Sequence, residues 1–481
     1  MRRATSVVAL AAVLLLWMGT EPTRAAVYTN TAGGNWGNQA IWNDGVSGFP
    51  DGADDTATIT TDNVDTRDAG GTGYDLPALG GPIVINGGML INRITQTATN
   101  AVTVNSGGVM HFYSYYQNYF DAPNWTVTLN DGGICHIGDM RAGMTSTFAI
   151  ADSAAATIRC NGGTGDNQPK ISGLISGPDT ATLTVNAIND VRSNSGITFE
   201  GDNALLLCDV VLDHVYYKHR HTNALGPAGT TAVVVRNGAV LSVSRSYPDR
   251  LLPDIPMTRD IDLYDGTLFG QAHNSAPVSY PTTITLMHAA AAIQVNAYGT
   301  YDHGVVDFSG QITESGGEFA LHVNVTGTSA SLSDAKLTNG ANDFTGLHLT
   351  GGRLLASASG CLGDGNVHVG AGAELEVETS SCHDSSKDLY LDYDGVADTS
   401  GVLDLGPGGT LTTVHAAFCG GLGGWDAPVG YGPLAGGDYV AADLPNHLVG
   451  DGTLRVLVPE PATLVLLGLG FLPLVCRRKR R

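Results

Sequence analysis

The feature that most constrains this chain is a phrase that keeps returning: a few alternating apolar and polar residues, a turn built on glycine, then a few more. "GPIVINGGMLIN" runs from Gly81 to Asn92, "AVTVNSGGVMHFYS" from Ala101 to Ser114 and "WTVTLNDGGICHIG" from Trp125 to Gly138. "TAVVVRNGAVLSVS" follows from Thr231, "IDLYDGTLFG" from Ile261, "LHLTGGRLLASASG" from Leu347, "VHVGAGAELEVE" from Val367 and "GVLDLGPGGTLTTV" from Gly401. Period-two alternation rich in β-branched residues reads as a strand, and Asn-Gly, Gly-Gly or Asp-Gly as the turn that ends it. One such unit cannot bury its apolar side alone, whereas units stacked in register share a continuous core. The expected fold is therefore all-β, a right-handed parallel β-solenoid (β-helix) over residues 26–457. An antiparallel sandwich is the rival, because several Asn-Gly phrases would close hairpins. The 64 glycines in 481 residues suit so many turns, against an ordinary usage of about 7%. With 43% hydrophobic residues, the chain has the material for a folded core.

The two ends follow other rules. Arg2 and Arg3, an apolar stretch from Val7 to Met18, and the small residues Thr23 and Ala25 make the three-part layout of a secretory signal peptide, expected over residues 1–25. At the far end, Val458-Pro459-Glu460-Pro461 precedes an apolar run from Ala462 and five basic residues, Arg477, Arg478, Lys479, Arg480 and Arg481. A transmembrane helix is expected over about 462–476, with the basic tail 477–481 on the cytoplasmic side. Pro459 and Pro461 hold the segment before it extended, the form in which a peptidase binds its substrate.

The 458–481 segment resembles the PEP-CTERM sorting signal of Gram-negative bacteria, with its proline-glutamate-proline element, apolar stretch and basic cluster. That resemblance implies an exosortase-like membrane peptidase as partner, a transient inner-membrane tether through the C-terminal helix, and final placement at the cell surface or in the extracellular matrix. The phrase from Thr345 to Glu378 resembles the passenger-associated strand repeat of autotransporter-type proteins. The stretch from Gly33 to Ile59, with Trp36, Trp42, Pro50 and Asp54-Asp55, resembles the opening of exported solenoids that carry it. Trp36 and Trp42 are expected to cap the first coil, the alternative being a platform on which sugars stack.

Charge narrows the partners. The formal net charge is -22, and it is more negative still between the two basic ends. Nucleic acid and anionic lipid are poor partners for such a surface, since both are bound by lysine and arginine. Cations, extracellular polysaccharide and envelope proteins remain. Cys135, Cys160, Cys208, Cys361, Cys382 and Cys419 lie in the exported body, and Cys135 with Cys160 and Cys361 with Cys382 are the local disulfide candidates, with free buried thiols as the alternative.

Candidate chemistry is sparse. Residues 201–260 interrupt the repeat with an expected loop-rich insertion, which gathers His214, His219 and His221 as candidate ligands for zinc or copper. Asp392, Asp394 and Asp398 surround Gly395 with oxygen-rich spacing suited to calcium, although the terminal glutamate of a calcium loop is missing. No other cofactor is indicated, and no phosphate-loop, HExxH or GxSxG motif occurs. The function expected is that of a structural or adhesive envelope or matrix protein, with no catalytic residue assigned. The alternative is a polysaccharide lyase or glycoside hydrolase built on a β-helix. For that alternative, His214, Lys218 and Arg220 beside Asp260, Asp262 and Asp265 form the nearest thing to a catalytic cluster.

Overall fold

The computed structural model describes residues 26–38, 41–42, 50, 55–66, 76, 79, 81–92, 98–113, 125–138, 143–160, 169–188, 196–244, 255–271, 278–296, 305–326, 334–392, 400–406, 411–420 and 431–457. They form an all-β, right-handed solenoid of stacked parallel strands. The chain divides into two compact units, Met1–Asn189 and Asp190–Arg481.

In the first unit each repeated phrase is one rung. Ala101–Val104 and Val109–Phe112 flank a turn whose Gly107 has a φ of 76°. Each then lies parallel to the corresponding strand of the next phrase, Thr126–Leu129 and Ile134–Ile137. Pairing is in register, so like positions stack. Ile83, Val102, Val127, Phe148 and Ile175 form one inward column, and Ile85, Val104, Leu129 and Ile150 another. All are nearly inaccessible to solvent. Burying one such side chain stabilises by about 1.5–3 kcal/mol, while ordering each residue costs about 1–2 kcal/mol of backbone entropy. A lone rung therefore does not hold; it needs a neighbour on each side.

Turns stack as well as strands. The Asn105 side-chain amide donates to Asn86 Oδ1 at 2.6 Å, and that of Asn130 to Asn105 Oδ1 at 2.5 Å. At the N-terminal end Trp36 and Trp42 are buried edge to face, 5.0 Å between ring centroids. The Trp36 indole donates to Pro50 O and that of Trp42 to Trp36 O. These rings seal the first coil and are not available as a surface platform.

In the second unit one parallel stack contains Asp209–Asp213, Val233–Arg236, Ile261–Leu263, Ile284–Leu286 and Ile312–Glu314. Another runs from Gly196–Phe199 through Tyr216–His219, Val240–Ser244, Thr267–Gln271, Ala292–Asn296 and Ala320–Thr326 to the first half of Gly346–Ala356, then on through Asn366–Val369, Leu389–Leu391 and Ala417–Gly420. Four short strands, Asp209–Asp213, Tyr216–His219, Val233–Arg236 and Val240–Ser244, run through the 201–260 stretch expected to be a loop-rich insertion. The long strand Gly346–Ala356 serves two stacks: its register slips by one residue after His348 and Leu349, and its second half pairs with Asp334–Leu337 and Ala373–Val377. The corner falls at Gly352, with φ 64° and a backbone so close to Val325 that no Cβ would fit. Among the named strands of the described residues, antiparallel pairing occurs where Tyr431–Pro433 meets Ala417–Gly420 and Gly437–Tyr439 meets Thr453–Val456, and an isolated antiparallel bridge joins Asn30 to Trp42.

One expectation about the fold is corrected. Among the described residues no helix is long and apolar enough to cross a membrane, and every named element is a strand. Apolar side chains fall at every second position and point into the solenoid, so they make no continuous apolar helix surface. The transmembrane helix expected over about 462–476 lies outside the described residues, and the fold class is that of a β-solenoid without it. The signal peptide expected over 1–25 also lies outside them.

Candidate functional site

Alternation that buries one side of a strand must turn the other outward. In the second unit Val210, Leu212, Val233, Val235, Ile261, Leu263, Ile284 and Leu286 are fully buried. Their neighbours Val211, Val234, Asp262 and Thr285 therefore form an outward row, paired rung to rung. Where these strands end, the turns after them enclose a cleft of 420 Å³, lined by Val211, Val234, Arg236, Asn237, Tyr264, Asp265 and His288. The two valines make an apolar floor, Tyr264 supplies a ring, and the other side chains form a polar rim.

The rim is held by side chains reaching across rungs. Asp213 accepts from Arg236 Nε at 2.9 Å and Nη2 at 2.8 Å, and from Asn237 Nδ2 at 2.7 Å. Asn237 N donates in turn to Asp265 Oδ1 at 2.6 Å. His214 Nδ1 lies 3.2 Å from Asn237 O. His214 and Asn237 both take left-handed backbone, with φ of 50° and 54°. On the next rung Asp260 accepts from Thr282 Oγ1 and Thr283 N, fixing the approach to the strand that carries Asp262. Burial raises the Asp262 pKa, Thr285 opposes this by hydrogen bonding, and Asp260 adds to the rise. Such a cleft offers apolar contact, one aromatic face, and donors and acceptors set before a ligand arrives.

Asp265 thus lines this cleft and His214 borders it through Asn237, but the other expected ligands do not join them. His219 is fully buried, and that burial holds its pKa down at about 4. His221 accepts from Asn223 N at 3.3 Å. Lys218 is buried on the strand Tyr216–His219. Below them, Arg259 was invisible as a structural residue in the sequence: it has no solvent exposure and donates to the carbonyls of Cys208, Leu225 and Thr231. It ties the long loop down from beneath.

Asp392 accepts from His368 Nε2 at 2.7 Å, while Asp394 and Asp398 lie outside the described residues. Three other carboxylates, Glu374, Glu376 and Asp404, bring oxygens within 4.8 Å of one another. An internal cation accounts for this group. Arg353 reaches Glu374 at 3.2 Å, Asp334 at 3.6 Å and also Glu376, all on neighbouring strands. Burial raises the Glu374 pKa, Arg353 works against that, and Asp404 and Asp334 reinforce it.

The six cysteines among the described residues are free and buried. Register explains the first expected pair: Cys135 stands opposite Ile158 and Cys160 opposite Ile137, two positions out of step, which is too far apart for the disulfide geometry. Cys361 and Cys382 sit on stacked turns, where Leu362 N donates to Cys382 O, and neither thiol is bonded to the other.

Residues 457–481 match the PEP-CTERM protein-sorting motif. Comparison with curated proteins and with solved structures finds no match. The matched segment contains Val458, Pro459, Glu460, Pro461 and the basic residues from Arg477 to Arg481, all outside the described residues. The chain is accordingly an exported protein sorted by an exosortase-like system, with passenger-like solenoid repeats. The expected partners and localisation are corrected in one respect. No helix among the described residues supports the expected tether to the inner membrane through a C-terminal helix, whose segment lies outside them, while export and the exosortase-like partner stand.

Proposed function

We propose that this protein works in the cell envelope or extracellular matrix as a structural and adhesive element, binding a neutral extracellular polysaccharide in the outer cleft of the second unit. The observation that carries the reading is the combination at that cleft of Tyr264, the Val211 and Val234 floor, and a hydrogen-bonding rim of Arg236, Asn237, Asp265 and His288. Sugars present apolar faces to rings and hydroxyls to such rims. The formal charge of -22 favours a neutral glycan over an acidic one. Sorting by an exosortase-like system supports a destination where polysaccharide is abundant.

The test is binding of the purified protein to exopolysaccharide from the producing bacterium, measured by affinity electrophoresis beside the variants Tyr264→Ala and Arg236→Ala. A loss of at least about tenfold in each variant is expected, since each removes one anchoring contact. Unchanged retardation of both variants, or no retardation of the parent protein, would overturn the reading. The length of the recovered glycan separates adhesion from the lyase or hydrolase alternative: intact chains are expected, and shortened ones would mean catalysis.

A further inference from the structure

The strand Val27–Thr29 lies parallel to Thr56–Ile59 at the start of the first unit and is held at both ends by side chains. At its far end the buried Asn30 accepts from Thr60 N at 2.7 Å. At its near end Ala26 N donates to Asp55 Oδ1 at 3.3 Å, and Thr56 N donates back to Ala26 O at 3.0 Å. Asp55 is only 8% exposed, and its own carbonyl accepts from Gly81 N on the following rung at 3.1 Å. One aspartate thus ties three successive rungs together.

We propose that removal of residues 1–25 completes this clasp: the freed α-ammonium of Ala26 forms an ion pair with the Asp55 carboxylate and locks the first coil. Arg2 and Arg3, the apolar stretch from Val7 to Met18, and the small residues Thr23 and Ala25 set the cut between Ala25 and Ala26. That bond lies one residue before the strand Val27–Thr29 begins. In the step, water hydrolyses the Ala25–Ala26 peptide bond at an export peptidase. The C–N bond breaks, the oxygen of water goes to the Ala25 carboxylate, and the nitrogen left on Ala26 takes up the protons to become an ammonium.

Before the cut, Ala26 N is a neutral amide with one proton to donate. Afterwards the same nitrogen carries a positive charge and three protons, opposite an acceptor already in place. A charge-assisted hydrogen bond is about twice as strong as a neutral one, and a mostly buried carboxylate needs that compensation for the water it has lost. The coil that Trp36 and Trp42 seal is therefore tightest only after processing, and the precursor is looser at this end until it has been exported.

The experiment uses the full exported protein recovered from the producing bacterium. Intact mass and N-terminal sequencing are expected to place its first residue at Ala26. The α-amine is then acetylated with a succinimidyl ester at neutral pH, where a free α-amine of pKa about 7.7–8.0 reacts ahead of lysine. The deprotonated amine is the reactive form, so each unit by which the ion pair raises its pKa slows labelling about tenfold. Labelling at least about tenfold slower than in the urea-unfolded chain is expected. Asp55→Asn, which keeps the shape and an acceptor but not the charge, should recover most of that rate, whereas Asp55→Glu should stay slow. Thermal melting checks that each variant is folded; if Asp55→Asn is not, the protection of the parent against its unfolded state remains the test. A first residue other than Ala26, labelling as fast in the folded parent as in the unfolded chain, or labelling as slow in Asp55→Asn as in the parent would overturn the proposal.

Discussion

Two rows of histidines stand on strands of the same design, and they end on opposite charges. In the first unit His111 and His136 stack almost face to face, 4.0 Å apart with planes 9° from parallel, and the next residue in register is Arg159. Arg159 continues the row by donating from Nε to Asn186. Burial, followed by the Arg159 charge, pushes the His136 pKa down to about 4. In the second unit His322, His348 and His368, paired rung to rung, make a row one ring longer, its first pair tilted and its second edge to face, and the carboxylate of Asp392 stands beside it. The second row has an anion beside it where the first has a cation. A solenoid therefore supplies the spacing by register, while the residue at the end of each row decides what that spacing is worth.

Exchanging the end charges breaks the comparison most sharply. Asp392→Lys should destabilise the second unit more than any single change in the first row, because it removes the acceptor for His368 and adds a cation beside the rings; thermal melting reads this directly. A smaller effect is expected from pH. His136, His219 and His383 are held near 4 by burial, whereas an unfolded histidine titrates near 6.5. The unfolded chain takes up protons first as pH falls, so stability present above about 6.5 is lost progressively toward 4 and changes little further from this source. Thermal midpoints at intervals from pH 7.5 to 3.5 check the window, and His219→Phe and His136→Phe should each flatten the slope by a similar amount, because both pKa values are held down at about 4. The smallest effect is expected from Arg159→Gln. Burial is the larger cause of the His136 shift, so removing the guanidinium should bring that pKa only part of the way back toward its ordinary value, read by proton NMR of the ring.

The stacking of rungs was legible in the sequence because it depends on local signals. Alternation reports which side chains point inward, and glycine after Asn, Asp or Gly reports where the chain turns. What lies beside what depends on register between rungs some 20 to 30 residues apart, as with Asp213 and Arg236 or Asp265 and Asn237. For that reason His214 and Asp265 were noticed while Tyr264, Arg236 and His288 were not. A signal for the histidine row was nevertheless present: "LHV", "LHL", "VHV" and "LYL" each centre a ring on an apolar strand, at Leu321–Val323, Leu347–Leu349, Val367–Val369 and Leu389–Leu391. Aligning those strands by their glycine turns would have found it. Spacing along the chain misled in the opposite direction for Cys135 and Cys160, near in sequence but out of step in register. Arg259 escaped because a buried guanidinium bound to carbonyls leaves no local pattern at all.

The central claim is that in-register parallel rungs set functional side chains side by side, and pairwise disulfide trapping tests it most directly. Adjacent in-register strands bring Cα atoms within the range of about 4.4–6.8 Å that a disulfide spans, and alternate strands do not. The account predicts that His322→Cys with His348→Cys, and His348→Cys with His368→Cys, form intramolecular disulfides under mild oxidation, while His322→Cys with His368→Cys remains reduced. Rapid bridging of the 322 and 368 pair, or failure of both adjacent pairs, would contradict it.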